Sequence, residues 1–401
     1  MSGLSSGLRI LAIAPTSFFA DYGCHVRILQ QSLALQSRGH EVCILTYPTG
    51  RDMAPVEVSR AWGWPGLRNP QIGPRPARIP LDASLLIHSL AHARRWQPDV
   101  VCGYLHEGAW IGHRVARRLN APLVFDYQGS LAGELAGHGW LKSGGLVYRL
   151  VRRTERAVHR RADAILCSSI HAAAALQAEG DCPRILALPD CVDTDFFDPA
   201  RVPDDARQAL RARLGIPPDR SVVAYLGLLG EQQGISHLLR AAADWPADAP
   251  PVHFLVMGYP RVDGYRRLAV ELGASERITF TGKVAYEDAP LYLSLGTVAV
   301  APKVSDTEGH GKLLNYMAMQ LPTVSFDTPV SREYLNELGW YAPLGDFQSL
   351  ARRLSELLRA EDRNAVGMAL RRRAQQRYSC SAMGDALQSA LESVARARAA
   401  D

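Results

Sequence analysis

The feature that most constrains this chain is a pattern that runs twice. Short apolar, β-rich runs alternate with stretches of helical period on either side of a proline-rich break. In the first half, Arg9–Ala14 reads as a buried strand. Gly23 opens a helical run through Leu29, Leu33 and Leu35 that stops at Arg38-Gly39-His40, and Glu41–Tyr47 reads as the next strand. Strand, crossover helix and strand make a parallel βαβ unit. Asp99–Gly103, Leu123–Tyr127, Ala164–Cys167 and Arg184–Leu188 continue the series, while residues 49–82, rich in Pro, Gly, Arg and Trp, read as a loop excursion. Asp198–Pro218 carries Pro199, Pro203, Pro217 and Pro218 and marks the domain boundary. Beyond it, Val222–Leu226, Val252–Met257, Ile278–Thr281, Val298–Ala301 and Thr323–Phe326 read as strands, and the tail (Leu350–Arg359, Ala365–Arg398) is helical and arginine-rich. The pattern predicts an α/β protein of two doubly wound domains facing a cleft, with ligands outside the carboxyl ends of the strands.

Composition narrows the class. A chain of 401 residues is too long for one ordinary core. Its 47% apolar and 21% charged residues fit a globular protein. A net charge of +5 with acidic residues spread throughout argues against a dedicated nucleic-acid partner. The seven cysteines form no CxxC pair, so no zinc or redox motif is read, and their odd count and wide spacing predict reduced, mostly buried thiols in a cytoplasmic protein. The apolar run Ile10–Ala14 ends at Pro15 and is too short for a signal peptide, and no run approaches the ~20 residues of a membrane-spanning helix.

The segment from Ala301 to Val324 carries the densest chemistry. It reads as a strand end, a loop with Glu308 before Gly309-His310-Gly311, a helix opening at Lys312, and a new strand. Glycines let backbone N–H groups approach a ligand, and a helix start favours an anion. A carboxylate accepts hydrogen bonds from sugar hydroxyls. One loop therefore offers grips for both halves of a sugar phosphate, although Gly-x-Gly alone is a weak signal.

Taken in order, the motifs resemble glycosyltransferase family 4, retaining enzymes of the GT-B fold, over nearly the whole chain. Tyr22-Gly23 and Arg38-Gly39-His40-Glu41-Val42 resemble the family's glycine loop and "GHEV" strand. Pro98–Val101, Leu105-His106-Glu107-Gly108-Ala109, Pro122–Phe125 and Ala162–Ser169 are similar to its next blocks. Leu188-Pro189-Asp190-Cys191-Val192-Asp193, with Phe197 and Pro199, resembles its "PNGVDxxxFxP" linker. Tyr225-Leu226-Gly227, Gly234-Ile235, Ile278–Gly282 and the Glu308 block complete the set. The resemblance implies an acceptor-side domain over 1–200, a nucleotide-sugar-binding domain over 201–376, and a C-terminal helix, 377–401, crossing back to the first domain. It implies sugar transfer from a nucleoside-diphosphate sugar to a hydroxyl of a saccharide or lipid-linked acceptor, in surface polysaccharide or glycoconjugate synthesis, with no metal or resident cofactor.

The resemblance makes Glu308 the donor-sugar contact, and Lys312 at the helix start is read beside it as the second catalytic residue because it can supply positive charge for the leaving diphosphate. Gly23, Gly227, Gly282, Lys303, Gly309, His310, Gly311, Leu313 and Asn315 are read as donor-binding, and His106, Glu107, Asp126 and Gln128 as the acceptor side. Three departures stand out. The family's second glutamate, separated from the first by seven residues, is here Asn315, one residue nearer. An amide can hydrogen-bond a ribose hydroxyl, but more weakly than a carboxylate. The positions of the customary phosphate-binding Arg and Lys carry Leu228 and Gln233, and Cys191 replaces the linker glycine. Lys312 and Lys303 are the nearest replacement cations. A non-catalytic, nucleotide-sugar-binding GT-B partner is the alternative, and an epimerase or phosphorylase finds no pattern.

Other features are weighed against plain readings. Asp193-Thr194-Asp195 mimics a metal-binding DxD, but its place in the linker reads as a turn. Trp62 and Trp64 are lipid or acceptor contacts, or simple packing. Leu146–Arg161 combines Leu146, Val147, Leu150, Val151 and Val158 with six arginines. Such a helix either packs on the core with a solvated basic face or makes peripheral contact with the inner face of a membrane.

Overall fold

Thirteen strands form two all-parallel sheets in the computed structural model, which describes residues 7–63, 78–137, 141–180, 184–304 and 309–400. The first sheet contains β1 (Arg9–Ala14), β2 (Glu41–Thr46), β3 (Glu57–Arg60), β4 (Val100–Tyr104), β5 (Leu123–Tyr127), β6 (Ala164–Cys167) and β7 (Arg184–Ala187), in the order β3-β2-β1-β4-β5-β6-β7. The second contains β8 (Ser221–Leu226), β9 (Val252–Met257), β10 (Ile278–Gly282), β11 (Val298–Ala301), β12 (Thr323–Phe326) and β13 (Trp340–Ala342), in the order β10-β9-β8-β11-β12-β13. Both are doubly wound, as the alternating pattern predicts.

The central strands are apolar throughout because helices cover both faces of each sheet. Along β1, Ile10, Ala12 and Ala14 join one core layer, while Leu11 and Ile13 join the layer on the opposite face. Val222 and Ala224 of β8 are divided in the same way from Val223 and Tyr225. This is the two-residue alternation of strand side chains.

Two strands are not anticipated by the sequence pattern. β3 lies in the stretch read as a loop excursion, and β13 at the far edge of the second sheet. Both are edge strands with partly exposed residues, so neither carries a continuous apolar run. The remainder of that excursion, including Trp64, lies outside the described residues. Trp62 is exposed.

The helical tail is divided rather than continuous. Helix Arg363–Arg377 packs on the second domain through Leu370 and Ala374. After Tyr378 and Ser379, helix Cys380–Ala400 returns to the first domain and buries Met383, Leu387, Leu391 and Val394 in its core. This return crossing touches the outward linker, where the Val192 N–H donates to the Tyr378 carbonyl at 2.9 Å. Cys191 and Cys380 form a disulfide at this point. The expectation of wholly reduced thiols is thereby corrected, because folding joins two cysteines 189 residues apart. Cys24, Cys43, Cys102 and Cys167 are not in disulfides.

Candidate active site

A doubly wound sheet opens a crevice where its strand order reverses, because loops there leave in opposite directions. The reversals fall between β1 and β4 in one sheet and between β8 and β11 in the other. The loops after these four strands face one another across a cavity of about 370 Å3, within the ordinary range for small-molecule sites.

The second domain supplies the glycine turn. After β11, Lys303 is buried and its Nζ donates to the Gly309 carbonyl at 2.9 Å. Gly309 N–H donates to Ser168 Oγ at 3.2 Å, across the domain boundary. A Cβ on Gly309 would lie 2.7 Å from Asp190 Oδ2, so a side chain there would force the turn away from Asp190, while one on Gly311 would lie 3.3 Å from it. Helix Gly311–Ala318 starts here. Burial, Lys303 and Lys312 push the His310 imidazole well below its ordinary pKa, so it is neutral. Its Nε2 has no hydrogen-bond partner among the described residues.

Lys312 holds the central position. Its Nζ donates to Gln233 Oε1 at 2.9 Å and to Tyr225 Oη at 3.0 Å, and lies 4.2 Å from the Tyr225 ring centroid. Tyr225 Oη in turn donates to the Leu228 carbonyl at 2.7 Å. A Cβ on Gly227, at φ +153, would lie 2.8 Å from Lys312 Nζ, so the missing side chain admits the ammonium. Burial and Lys303 lower the Lys312 pKa well below its ordinary value. An arriving anion relieves that penalty by restoring a counter-charge. Gln233 and Leu228 therefore surround a cation delivered by another element, some 79 residues from Gln233. Asn315 also lines the cavity.

The first domain supplies a different wall. Gly23 opens helix Gly23–Gln36 at the cavity. Arg27, four residues on and 4% exposed, binds Asp126 through Nε and Nη2 (3.0 and 2.8 Å). Its Nη1 donates to Asp190 Oδ1 and to the Leu188 carbonyl, both at 2.9 Å. Gln31 and Gln128 also donate to Asp126, at 2.8 and 3.0 Å. Asp126 is thus placed away from an acceptor role. It is 2% exposed, does not line the cavity, and spends its oxygens on Arg27, Gln31 and Gln128. Gln128 does line the cavity.

His106 and Glu107 open helix Leu105–Leu119 and line the same wall. His106 is packed against Phe125, Tyr127 and His159, with Nε2 3.3 Å from His159 Nε2 and 3.5 Å from Glu155 Oε1. Burial pushes His106 down to about 4.

Two expected donor residues are placed elsewhere. Leu313 is fully buried in the core, with its N–H bonded to the His310 carbonyl at 2.9 Å. Gly282 ends β10, and its carbonyl accepts from the Gly258 N–H at 2.9 Å. Neither lines the cavity. Glu308 lies outside the described residues. The linker Asp193 accepts N–H bonds from Asp195 and Phe196 at 2.9 and 3.0 Å, an Asx turn as expected. Among the described residues no group of acidic, histidine or cysteine side chains is placed to hold a metal.

Both sides of the cleft are tied across. Asp21 pairs with Lys283 at 2.8 Å and Arg51 with Glu287 at 2.9 Å. On the opposite side, Glu333 accepts from the Ile170 N–H at 3.0 Å, and Tyr334 donates to the Ser168 carbonyl at 3.2 Å. Arg27 and this cross-bracing are absent from the sequence reading. The one local signal is an arginine amid the apolar face of helix Gly23–Gln36, since a buried charge requires a partner.

Two family models match the chain in succession. The glycosyl transferase 4-like domain matches residues 22–191 and glycosyl transferases group 1 residues 206–377. The 2-deoxystreptamine N-acetyl-D-glucosaminyltransferase of Streptomyces fradiae is 27% identical over 87% of this chain and 86% of its own length. The D-inositol 3-phosphate glycosyltransferase of Mycolicibacterium smegmatis is 30% identical over 72% of this chain and 67% of its own. The sucrose-phosphate synthase structure from Thermosynechococcus elongatus superposes with a TM-score of 0.82 at 19% identity, covering 97% of this chain and all of that one.

Proposed function

The chain belongs to the glycosyltransferases that join a 4-like domain to a group 1 domain, and from that premise we propose that it is a retaining, metal-independent enzyme using a nucleoside-diphosphate sugar. The observation that carries the proposal is the placement of Lys312. Its ammonium occupies the space between Gly227 and Gln233, beside the Gly309–Gly311 turn. The family's usual phosphate cations are missing from that strand, and a lysine from a different element fills the gap.

In this reading the diphosphate lies against Lys312 and the helix start at Gly311, where the N-terminal end of the peptide dipoles favours negative charge. The anomeric carbon–oxygen bond to the diphosphate breaks. The acceptor hydroxyl forms its bond on the same face and gives its proton to a departing phosphate oxygen. Lys312 gains interaction as the leaving group gains charge, which is stabilisation aimed at the transition state. Asn315 serves the nucleotide ribose, and Glu308 the transferred sugar. The acceptor is a polyhydroxylated molecule, as the cyclitols in the two relatives' names suggest, and Glu107 accepts its hydroxyl hydrogen bonds from the first domain.

A screen of UDP-, GDP- and ADP-sugars by thermal shift, followed by transfer assays in EDTA with NMR of the product anomer, tests the proposal. A ligand at 100 times its Kd stabilises by about 2.7 kcal/mol, an easily read shift. Glu308→Gln is expected to lower turnover more than about ten-fold, the loss of a charged hydrogen bond of roughly 1.5–3 kcal/mol. Activity abolished by EDTA and restored by manganese would overturn metal independence. Absence of binding by every nucleotide sugar would favour a non-catalytic partner.

A further inference from the structure

Helix Leu146–His159 is amphipathic in the opposite sense from a helix built to pack on a core. Its buried positions are Glu155, Val158 and His159. Leu146, Val147 and Leu150 are 84%, 59% and 64% exposed. The inward face is organised around the Glu155 carboxylate, which accepts from Ser130 Oγ at 3.0 Å, Ala132 N–H at 3.2 Å and Arg152 Nη1 at 2.7 Å. Val158 packs inward, but Leu146, Val147 and Leu150 stand together on the outer face of the first turns. Single exposed apolar residues are common, but three adjacent ones on an exposed ridge mark an interaction site.

Their neighbours fix the chemistry of the partner. Arg149 follows Leu146 by three residues and Arg153 follows Leu150 by three, which sets them on the same outward strip. Both are exposed, and neither makes an ion pair with a described residue. Arg152, in contrast, is turned inward to Glu155 and Glu179. Beyond the far end of this helix, burial and Arg161 together disfavour the charge of Arg114 on helix Leu105–Leu119. Arg114 itself stacks on Trp110, which is also exposed.

We propose that this face docks on an anionic lipid bilayer, with Leu146, Val147 and Leu150 entering the acyl boundary and Arg149 and Arg153 meeting the lipid phosphates. A helix rises about 1.5 Å per residue, so Leu146 and Arg153 are roughly 10 Å apart along the axis. An interfacial helix lies in the plane of the bilayer with its apolar side ~5–10 Å deep, so residues spread over this length can all reach the surface at once. Arginine stems are long enough to lie along the apolar ridge while their heads stay in the headgroup layer. A nucleic-acid surface would use the arginines and leave the apolar ridge wet. Ser130, bonded to Glu155 on the inner face of this helix, lines the cavity together with Leu131. Docking therefore brings the acceptor side of the cavity close to the bilayer. The inference does not depend on the transfer reaction.

Co-sedimentation of the full chain with vesicles of phosphatidylglycerol and phosphatidylcholine, against phosphatidylcholine alone, tests it. The chain should bind the anionic vesicles, and added salt should weaken binding. Arg149→Ser with Arg153→Ser should weaken it roughly thirty-fold, since each arginine near an anionic surface contributes about 1 kcal/mol. Leu146→Ser with Leu150→Ser should weaken it at least about ten-fold. Melting temperatures should stay at the wild-type value in both double variants, because none of the four side chains is buried. Failure of the wild type to bind anionic vesicles overturns the proposal, as does unchanged binding by the leucine variant. Preference for duplex DNA over vesicles at the same salt concentration overturns it too.

Discussion

The two walls of the cleft hold their charges in different ways. On the first-domain wall, Asp21, Glu107, Glu134 and Asp190 face the cavity with Arg27 and Arg78, and the most buried of these are committed to one another. Arg27 ties Asp126 and Asp190 into a single network. On the second-domain wall, the described lining residues include Lys303 and Lys312 and no carboxylate. Lys312 is held by neutral oxygens, those of Gln233 and Tyr225. A network that neutralises itself organises structure, whereas a buried lysine bonded only to neutral groups lacks a counter-charge, and its protonated form is favoured when an anion arrives. The same residue types therefore do structural work on one side and face the anion on the other.

Breaking the first wall should give the largest effect. Arg27→Met strands the buried Asp126 carboxylate and the part-buried Asp190, and removing one partner of a buried pair costs about 3–5 kcal/mol. The midpoint of urea denaturation should fall accordingly, and removing Asp126 as well should recover part of the loss. A midpoint equal to wild type would mean that Arg27 is not structural.

Lys312→Met addresses the second wall. It should leave the fold intact and lower turnover about 10–100-fold, the equivalent of roughly 1.5–3 kcal/mol, with a smaller loss of donor affinity. Leu228→Arg with Gln233→Lys should restore part of the turnover. Wild-type kinetics in Lys312→Met would reduce Lys312 to a packing residue.

Acid should act on both walls. On the first-domain side, burial holds His25 at about 3, and His106 and His159 at about 4; on the second-domain side, burial, Lys303 and Lys312 hold His310 well below its ordinary range. Folded pKa values below the unfolded one mean that the unfolded chain binds more protons. Stability is then full above about pH 6.5 and falls as pH drops towards 4, by about 1.4 kcal/mol per unit for each histidine. Asp82, raised to about 6 mainly by burial, works in the opposite direction and offsets part of the loss. Melting temperature should therefore fall between pH 7 and pH 5, and a flat profile would contradict the buried neutral histidines. The smallest effect is expected from the link between the walls. Arg51 and Glu287 are both nearly half exposed, so Glu287→Gln should change stability by less than about 1 kcal/mol, and less still at high salt.

The sequence by itself determined the two doubly wound domains, most of their strands, the glycine turn at Gly309–Gly311 and the Asx turn at Asp193. Each rests on local periodicity or on residues adjacent in the chain, which is where sequence patterns are strongest. The edge strands β3 and β13 escaped because half-exposed strands lack a continuous apolar run. Only the tertiary structure decided what each charge is for. Asp126 went to Arg27, 99 residues away, rather than to an acceptor. Lys312 reached Gln233 and the space left by Gly227. Leu313 turned into the core, and Cys191 met Cys380. Leu146, Val147 and Leu150 faced outward while Glu155 found its donors inside. Charges, disulfides and helix orientation depend on partners that chain folding brings together, and no spacing along the sequence encodes that meeting.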